Sequence, residues 1–212
     1  TFVMLLPMHQ TVRLAEDIAT ADVISGGRMD IGIGRGYQPY EFERLGLDIA
    51  SNTPMYDEAV EILEKALRGD TFSYEGSHYS FPETTIFPTP VQQPRPPFWV
   101  ASQQSSSVED SVRRGYNVIT GGSGTSASLV AEFRELFDQA VQKYEMAQTP
   151  TFGVQRQVYV TETDEEARGE AHQGLWHTRV ARHLRAGTAR IEQGMAFADP
   201  LEGEPTLEQM LD

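Results

Sequence analysis

The sequence predicts an α/β fold built on a parallel sheet. Three observations carry this expectation. Short apolar runs and amphipathic stretches of helical period alternate five times along the chain. The helical stretches end on glycines, as at Gly26-Gly27, Gly69 and Gly115. Strands joined by helices within one sheet pair in parallel through right-handed crossovers. Two architectures satisfy this pattern: a doubly wound open sheet, and an eight-stranded barrel of about 250 residues or more.

Thr1 to Pro7 reads as an apolar strand. Thr11 can cap a helix whose apolar positions Val12, Ala15, Ile18, Ala19 and Val23 follow the helical period, and Gly26-Gly27 stops it. Met29 to Ile33 is the next strand, and a loop leads from it to Thr53-Pro54, where proline suits a first helical position. Met55, Ala59, Ile62, Leu63, Ala66 and Leu67 form the buried stripe of that helix, and Gly69 ends it. From Phe72 to Pro97 the alternation breaks. Tyr74-Glu75-Gly76-Ser77 suggests a small hairpin, and the prolines forbid a central strand, so residues 70–97 are an excursion from the main fold.

Phe98 to Ala101 is a buried strand running into a serine-rich helix start, Ser105 to Ser107, with Gly115 closing the helix. Asn117 to Thr120 is a strand closed by Gly121-Gly122-Ser123-Gly124. The long helix after it carries Leu129, Val130, Phe133, Leu136, Phe137, Ala140, Val141 and Tyr144 on one face. Phe152, Val154, Arg156, Val158 and Val160 alternate with their neighbours as in a strand, and Thr163 with Glu166 makes a capping box for a helix from Asp164 to about Leu184.

The 212 residues suffice for one domain with a sizeable core. Both ends read as cut, and a fragment is the working expectation. The absence of cysteine excludes disulfides, thiolate metal sites and a cysteine nucleophile. With 31 acidic and 17 basic side chains the net charge is −14, which repels nucleic acid and anionic membrane. Small molecules and other proteins are the expected partners, in a soluble cytoplasmic setting.

Ser25 to Gly46, SGGRMDIGIGRGYQPYEFERLG, organises the rest. The chain leaves the strand through Gly34, Arg35 and Gly36, with almost no side-chain bulk but one guanidinium. That brings a backbone close to a flat or phosphorylated ligand. The loop then carries Tyr37, Tyr40, Glu41 and Arg44. This run resembles the bacterial-luciferase-like flavin monooxygenase family in its Ser-Gly-Gly-Arg turn at Ser25 to Arg28, its Gly-x-Gly strand with an Arg-Gly pair, its acidic Glu41 and its Leu45-Gly46.

The resemblance implies a (β/α)8 TIM barrel of the luciferase-like type, incomplete here, with residues 1–212 as a single barrel domain holding about five of the eight strands, the third to the seventh. It also implies reduced FMN as cofactor, oxygen as co-substrate, and an aldehyde or similar small organic molecule as the substrate oxidised. A separate flavin reductase and a homo- or heterodimer, with the helix from Val12 to Ser25 as candidate surface, are implied as well. Matched by position, Arg35 meets the flavin phosphate, Gln104 and Ser107 hold it from the helix start, Gly34 lies against the ring, and Ala101 to Gln103 line its other edge. Glu41 matches an acidic family position, placed to orient Arg35 or to act on substrate. The family's catalytic histidine belongs to a strand upstream of Thr1.

Departures from the family pattern bear on the site. Gln104 stands where serine is frequent, and Ser51-Asn52-Thr53 replaces a frequent arginine before Pro54. Two other readings stay open: a deazaflavin-dependent hydride-transfer enzyme on the same fold, and a non-catalytic flavin-binding relative. The serines at 105 to 107 are equally an ordinary helix cap. His172, His177 and His183, five and six residues apart, lack metal-ligand spacing. Gly32, Gly34 and Gly36 do not have the spacing of a dinucleotide fingerprint.

Overall fold

A computed structural model of the chain describes residues 2–102, 104–122, 125–146, 148–156, 158–193, 195–204, 206 and 208. Strand β1 (Met4–Leu5) is followed by a 3-10 turn at Leu6–Met8, shorter than the seven-residue strand expected, because Pro7 turns the chain out of the sheet. Helix α1 (Thr11–Ser25) is capped by the Gln10 side chain rather than by Thr11, and it ends on Gly26 in a left-handed conformation (φ 65°). Its buried face holds Leu14, Ala15, Ile18, Ala19 and, unexpectedly, Asp22. Val23, assigned to that face from periodicity, is 44% exposed.

Strand β2 (Ile31–Gly34) leads into a connection with structure of its own: α2 (Pro39–Arg44) and a 3-10 turn at Ile49–Ser51. Phe42 anchors α2 with no exposed surface. Helix α3 (Asn52–Leu67) buries Ala59, Val60, Ile62, Leu63, Ala66 and Leu67, close to the expected stripe. The excursion is a hairpin of β3 (Phe72–Glu75) and β4 (Ser80–Thr84), antiparallel and outside the main sheet. The Glu58 carboxylate on α3 accepts the backbone N–H groups of Ser77 (2.9 Å), His78 (3.0 Å) and Tyr79 (3.1 Å), which pins the hairpin tip to the helix.

The chain continues through β5 (Phe98–Ala101), α4 (Ser105–Arg113), β6 (Asn117–Gly121), α5 (Ala127–Tyr144) and β7 (Phe152–Gln155). The strand expected to reach Val160 stops at Gln155, where pairing with the end of β6 stops, and Val158, Tyr159 and Val160 are exposed. The single helix expected from Asp164 is two, α6 (Asp164–Glu170) and α7 (His172–Ala186). Gly169 and Gly174, poor helix formers, flank the break. Thr163 Oγ1 accepts the Glu166 N–H at 3.2 Å, as the capping pattern requires. Beyond Gly187 an unforeseen hairpin forms from β8 (Arg190–Glu192) and β9 (Met195–Phe197). Among the described residues, no helix is long and apolar enough to cross a membrane.

The main sheet runs β1-β2-β5-β6-β7 with every pair parallel. Each strand lies beside its predecessor and the order never reverses, which separates this sheet from a doubly wound one with its switch point. α1, α3, β1, β2 and β5 share one core cluster, and α4, α5 and β6 share another. Registers such as Leu5↔Gly34, Ala101↔Ile119 and Gly121↔Gln155 bring the carboxyl ends of the strands to one rim.

Candidate active site

That rim opens into a cleft of about 780 Å³, within the size range of small-molecule and cofactor sites. Gly34 and Arg35 reach it from β2, Ala101 and Ser102 from β5, Gln104 and Ser107 from the start of α4, and Thr120 to Gly122 from β6. The structure therefore brings together five of the positions expected to hold a cofactor: Gly34, Arg35, Ala101, Gln104 and Ser107. Gln103 lies outside the described residues. Glu41 is not among the residues lining the cleft, and among the described residues it forms no ion pair with Arg35. It sits half-buried in the first turn of α2.

The backbone at this rim has specific causes. Gly34 needs no ligand to explain it, since a Cβ there would meet Val3 Cγ2 at 3.0 Å. Gly36 has φ 78°, and a Cβ would lie 2.8 Å from the ring of Phe42. Asn52 Nδ2 donates to the Gly36 carbonyl at 2.9 Å, so the glycine turn is tied to the head of α3. Gly121 takes φ 113° with Gln155 O where a Cβ would stand.

Donors converge at the start of α4. Gln104 is the extended N-cap residue, and its side chain makes no capping bond. Its carbonyl accepts from Ser107 N (3.1 Å), Val108 N (3.3 Å) and Ser102 Oγ (3.0 Å). The amides of Ser105 and Ser106 remain at the open, positive end of the helix. Thr120 is only 4% exposed, faces the cleft, and its Oγ1 has no hydrogen-bond partner. A buried hydroxyl without a partner costs free energy unless a ligand engages it.

Residues that the sequence did not assign to a cofactor or substrate complete the walls. Tyr56 and Asp57 come from α3, Asp110 from α4, and His177, Thr178, Ala181, Arg182 and Arg185 from α7. Burial pushes the Tyr56 phenol well above its usual range, opposed by the charges of Arg114 and Arg35. Burial also raises the Asp57 carboxyl, again against Arg114 and Arg35. Asp110 is engaged from behind by Arg113 and by Arg114 (2.9 Å). The signal that could have found the α7 wall is the spacing of Thr178, Ala181, Arg182 and Arg185, which places all four on one helical face. Nothing in the sequence said which way that face would turn.

Comparisons with known proteins place the family and the fold. A family model described as luciferase-like monooxygenase matches residues 1–210. The chain is 33% identical over 175 residues to the oxygenase component of a flavin-dependent trigonelline monooxygenase from Acinetobacter baylyi, covering 82% of this chain and 48% of that protein. The chain thus spans about half the length of that relative. Among solved structures, the monooxygenase RslO1 from Streptomyces bottropensis superposes with a TM-score of 0.76 at 26% identity, over 87% of this chain and 57% of the other. The oxygenating constituent of 3,6-diketocamphane monooxygenase from Pseudomonas putida, solved with FMN, gives 0.69 at 24% identity over 88% and 57%, a likeness of fold. The five parallel strands are accordingly part of a (β/α)8 barrel of the luciferase-like type.

Proposed function

Because the chain belongs to the luciferase-like monooxygenase family, we propose that its cleft is the reduced-FMN site of a flavin-dependent monooxygenase acting on a small organic substrate. The observation that carries this reading is the convergence of Arg35, the open start of α4 and the unpartnered Thr120 hydroxyl on one cleft. A guanidinium and free helix-end amides form a phosphate clamp, and the hydroxyl supplies one further hydrogen bond. Ser107 and the Gln104 side chain, which caps nothing, stand ready at the same place. The residues present fit the group.

Reduced FMN, when bound, supplies the two electrons with which one oxygen atom enters the substrate and the other leaves as water. The protein's part is positioning. Gly34, Ala101 and Gly121 line the cleft at the strand ends where a flat ring would lie, while the apolar Ile33, Val100 and Ile119 keep water from its walls. The trigonelline relative is named an oxygenase component, and in keeping with that name our reading includes a separate reductase that delivers reduced flavin. It also includes a dimer through the α1 surface and a cytoplasmic location.

Titration of reduced FMN without oxygen, into the protein and into an Arg35→Ala variant, tests the clamp. Removing a bidentate charged donor weakens binding roughly ten- to a hundredfold. Equal binding by both proteins, or by neither, removes the clamp. Absorbance of the bound cofactor in a parallel titration separates FMN from a deazaflavin.

A further inference from the structure

The α7 wall of the cleft has a chemistry of its own. Thr178, Ala181, Arg182 and Arg185 form one stripe facing the cleft, at the spacing that lines a single helical face. Thr178 is buried and spends its hydroxyl on the Gly174 carbonyl at 3.0 Å. Ala181 leaves space. The two arginines remain, and among the described residues neither forms an ion pair. Their neighbour Arg179 pairs with Glu204, Nε to Oε2 at 3.0 Å, and that carboxylate also feels the charge of Arg182 without forming an ion pair with it.

Arg185 is also held in place. Its guanidinium lies 5.3 Å from the centre of the Tyr37 ring, which joins α7 to the loop after β2. A guanidinium drawn to a ring by cation–π attraction still has N–H groups to offer a planar anion. The charge balance points the same way. Arg35, Arg182 and Arg185 line the cleft against Asp57 and Asp110, and Asp110 is compensated by Arg113 and Arg114. In a chain of net charge −14, this cleft is a cationic spot where the field favours an anion.

We propose that Arg182 and Arg185 form a carboxylate-binding subsite, and that the organic molecule oxidised in this cleft is a carboxylic acid whose anionic end lies on α7 and whose apolar body extends from there into the cleft. Only the word oxidised rests on the flavin reading above. The carboxylate subsite stands on the geometry of α7.

Isothermal titration of the full chain with benzoate and with benzamide, which match in shape and differ in charge, tests the subsite directly. Hexanoate and hexanamide repeat the comparison without a ring. The acids are expected to bind roughly tenfold more tightly than the amides, and an Arg182→Gln/Arg185→Gln variant to lose that preference while binding reduced FMN as the parent does. Both side chains are exposed, so the variant folds. Equal affinity for acid and amide in the parent overturns the proposal. So does a variant that loses FMN affinity along with benzoate, because the two arginines then serve the cofactor phosphate. If FMN fails to bind the parent while the acid preference persists, the flavin reading falls and the carboxylate subsite remains.

Discussion

Both amide groups of Gln92 end on the carboxylate of Asp22, 70 positions earlier in the chain: the backbone N–H donates to Oδ2 at 2.9 Å and Nε2 donates to Oδ1 at 2.7 Å. The same Nε2 also donates to the carbonyl of Met29 at 2.8 Å. One buried acid thereby fastens the proline-rich return segment to the last turn of α1 and to the entry of β2.

Asp22→Ala should therefore cost about 2–4 kcal/mol, since it leaves two donors without acceptors in a site with no exposed surface. Urea unfolding of the variant measures the loss. A change below about 0.5 kcal/mol, the range of an ordinary surface substitution, would show that Gln92 finds other acceptors.

Thr120→Val should separate stability from binding. The hydroxyl has no partner, so its replacement by a methyl of similar shape leaves the melting temperature unchanged or raises it. Reduced-FMN affinity should fall roughly three- to tenfold, the worth of one hydrogen bond. Lower stability with unchanged affinity would mean that Thr120 serves the fold and not the ligand.

Gly36→Ala should strain the turn that delivers Arg35. A side chain there must adopt φ 78° and sit 2.8 Å from Phe42, at a cost of about 1–3 kcal/mol. Limited proteolysis of residues 35–51 should accelerate while the β3–β4 hairpin stays protected. Uniform protection in both proteins would contradict the anchoring role assigned to Phe42.

The attachment of the hairpin should weaken in acid. Burial tends to raise the Glu58 carboxyl, but the amides of His78, Ser77 and Tyr79 outweigh it and hold the group below its ordinary value of 4.5. A carboxyl whose pKa is depressed by folding contributes stability above its unfolded value and loses it as pH falls through its folded value. Amide hydrogen exchange at Ser77 to Tyr79 should accelerate as the pH drops below about 4.5. Glu58→Gln should show fast exchange at these amides at neutral pH and no acid step. An identical acid step in that variant would assign the titration to another group.

Tyr116→Phe should cost about 1–3 kcal/mol, because the hydroxyl is hydrogen-bonded to Glu64 Oε1 at 2.5 Å in a site only 1% exposed. The Arg95 guanidinium, 4.8 Å from the Tyr116 ring centre and 4.1 Å from that of Phe98, stays stacked in the variant. Thermal unfolding checks the loss. A stability equal to the parent's would show that Glu64 is satisfied by water instead.

What the sequence by itself determined is local or periodic. The apolar stripe of α3, the glycine that ends α1, the Thr163 cap and the strand-to-helix order all follow from rules acting over a few residues. The stretches holding Arg35, Gln104 and Ser107 lie where a strand ends or a helix begins, places that parallel barrels gather on one rim, and it was the family resemblance that picked these three residues out of them. The tertiary structure alone decided the rest. Asp22 is buried although periodicity favoured Val23, since a residue 70 positions away supplies its hydrogen bonds. Glu41 stands away from the cleft because Phe42 roots α2 on its own footing. Arg182 and Arg185 face the cleft while Arg179 turns to Glu204, a choice made by how α7 is rotated in place. Period and propensity say that a helix has faces; only packing against distant residues says what each face meets.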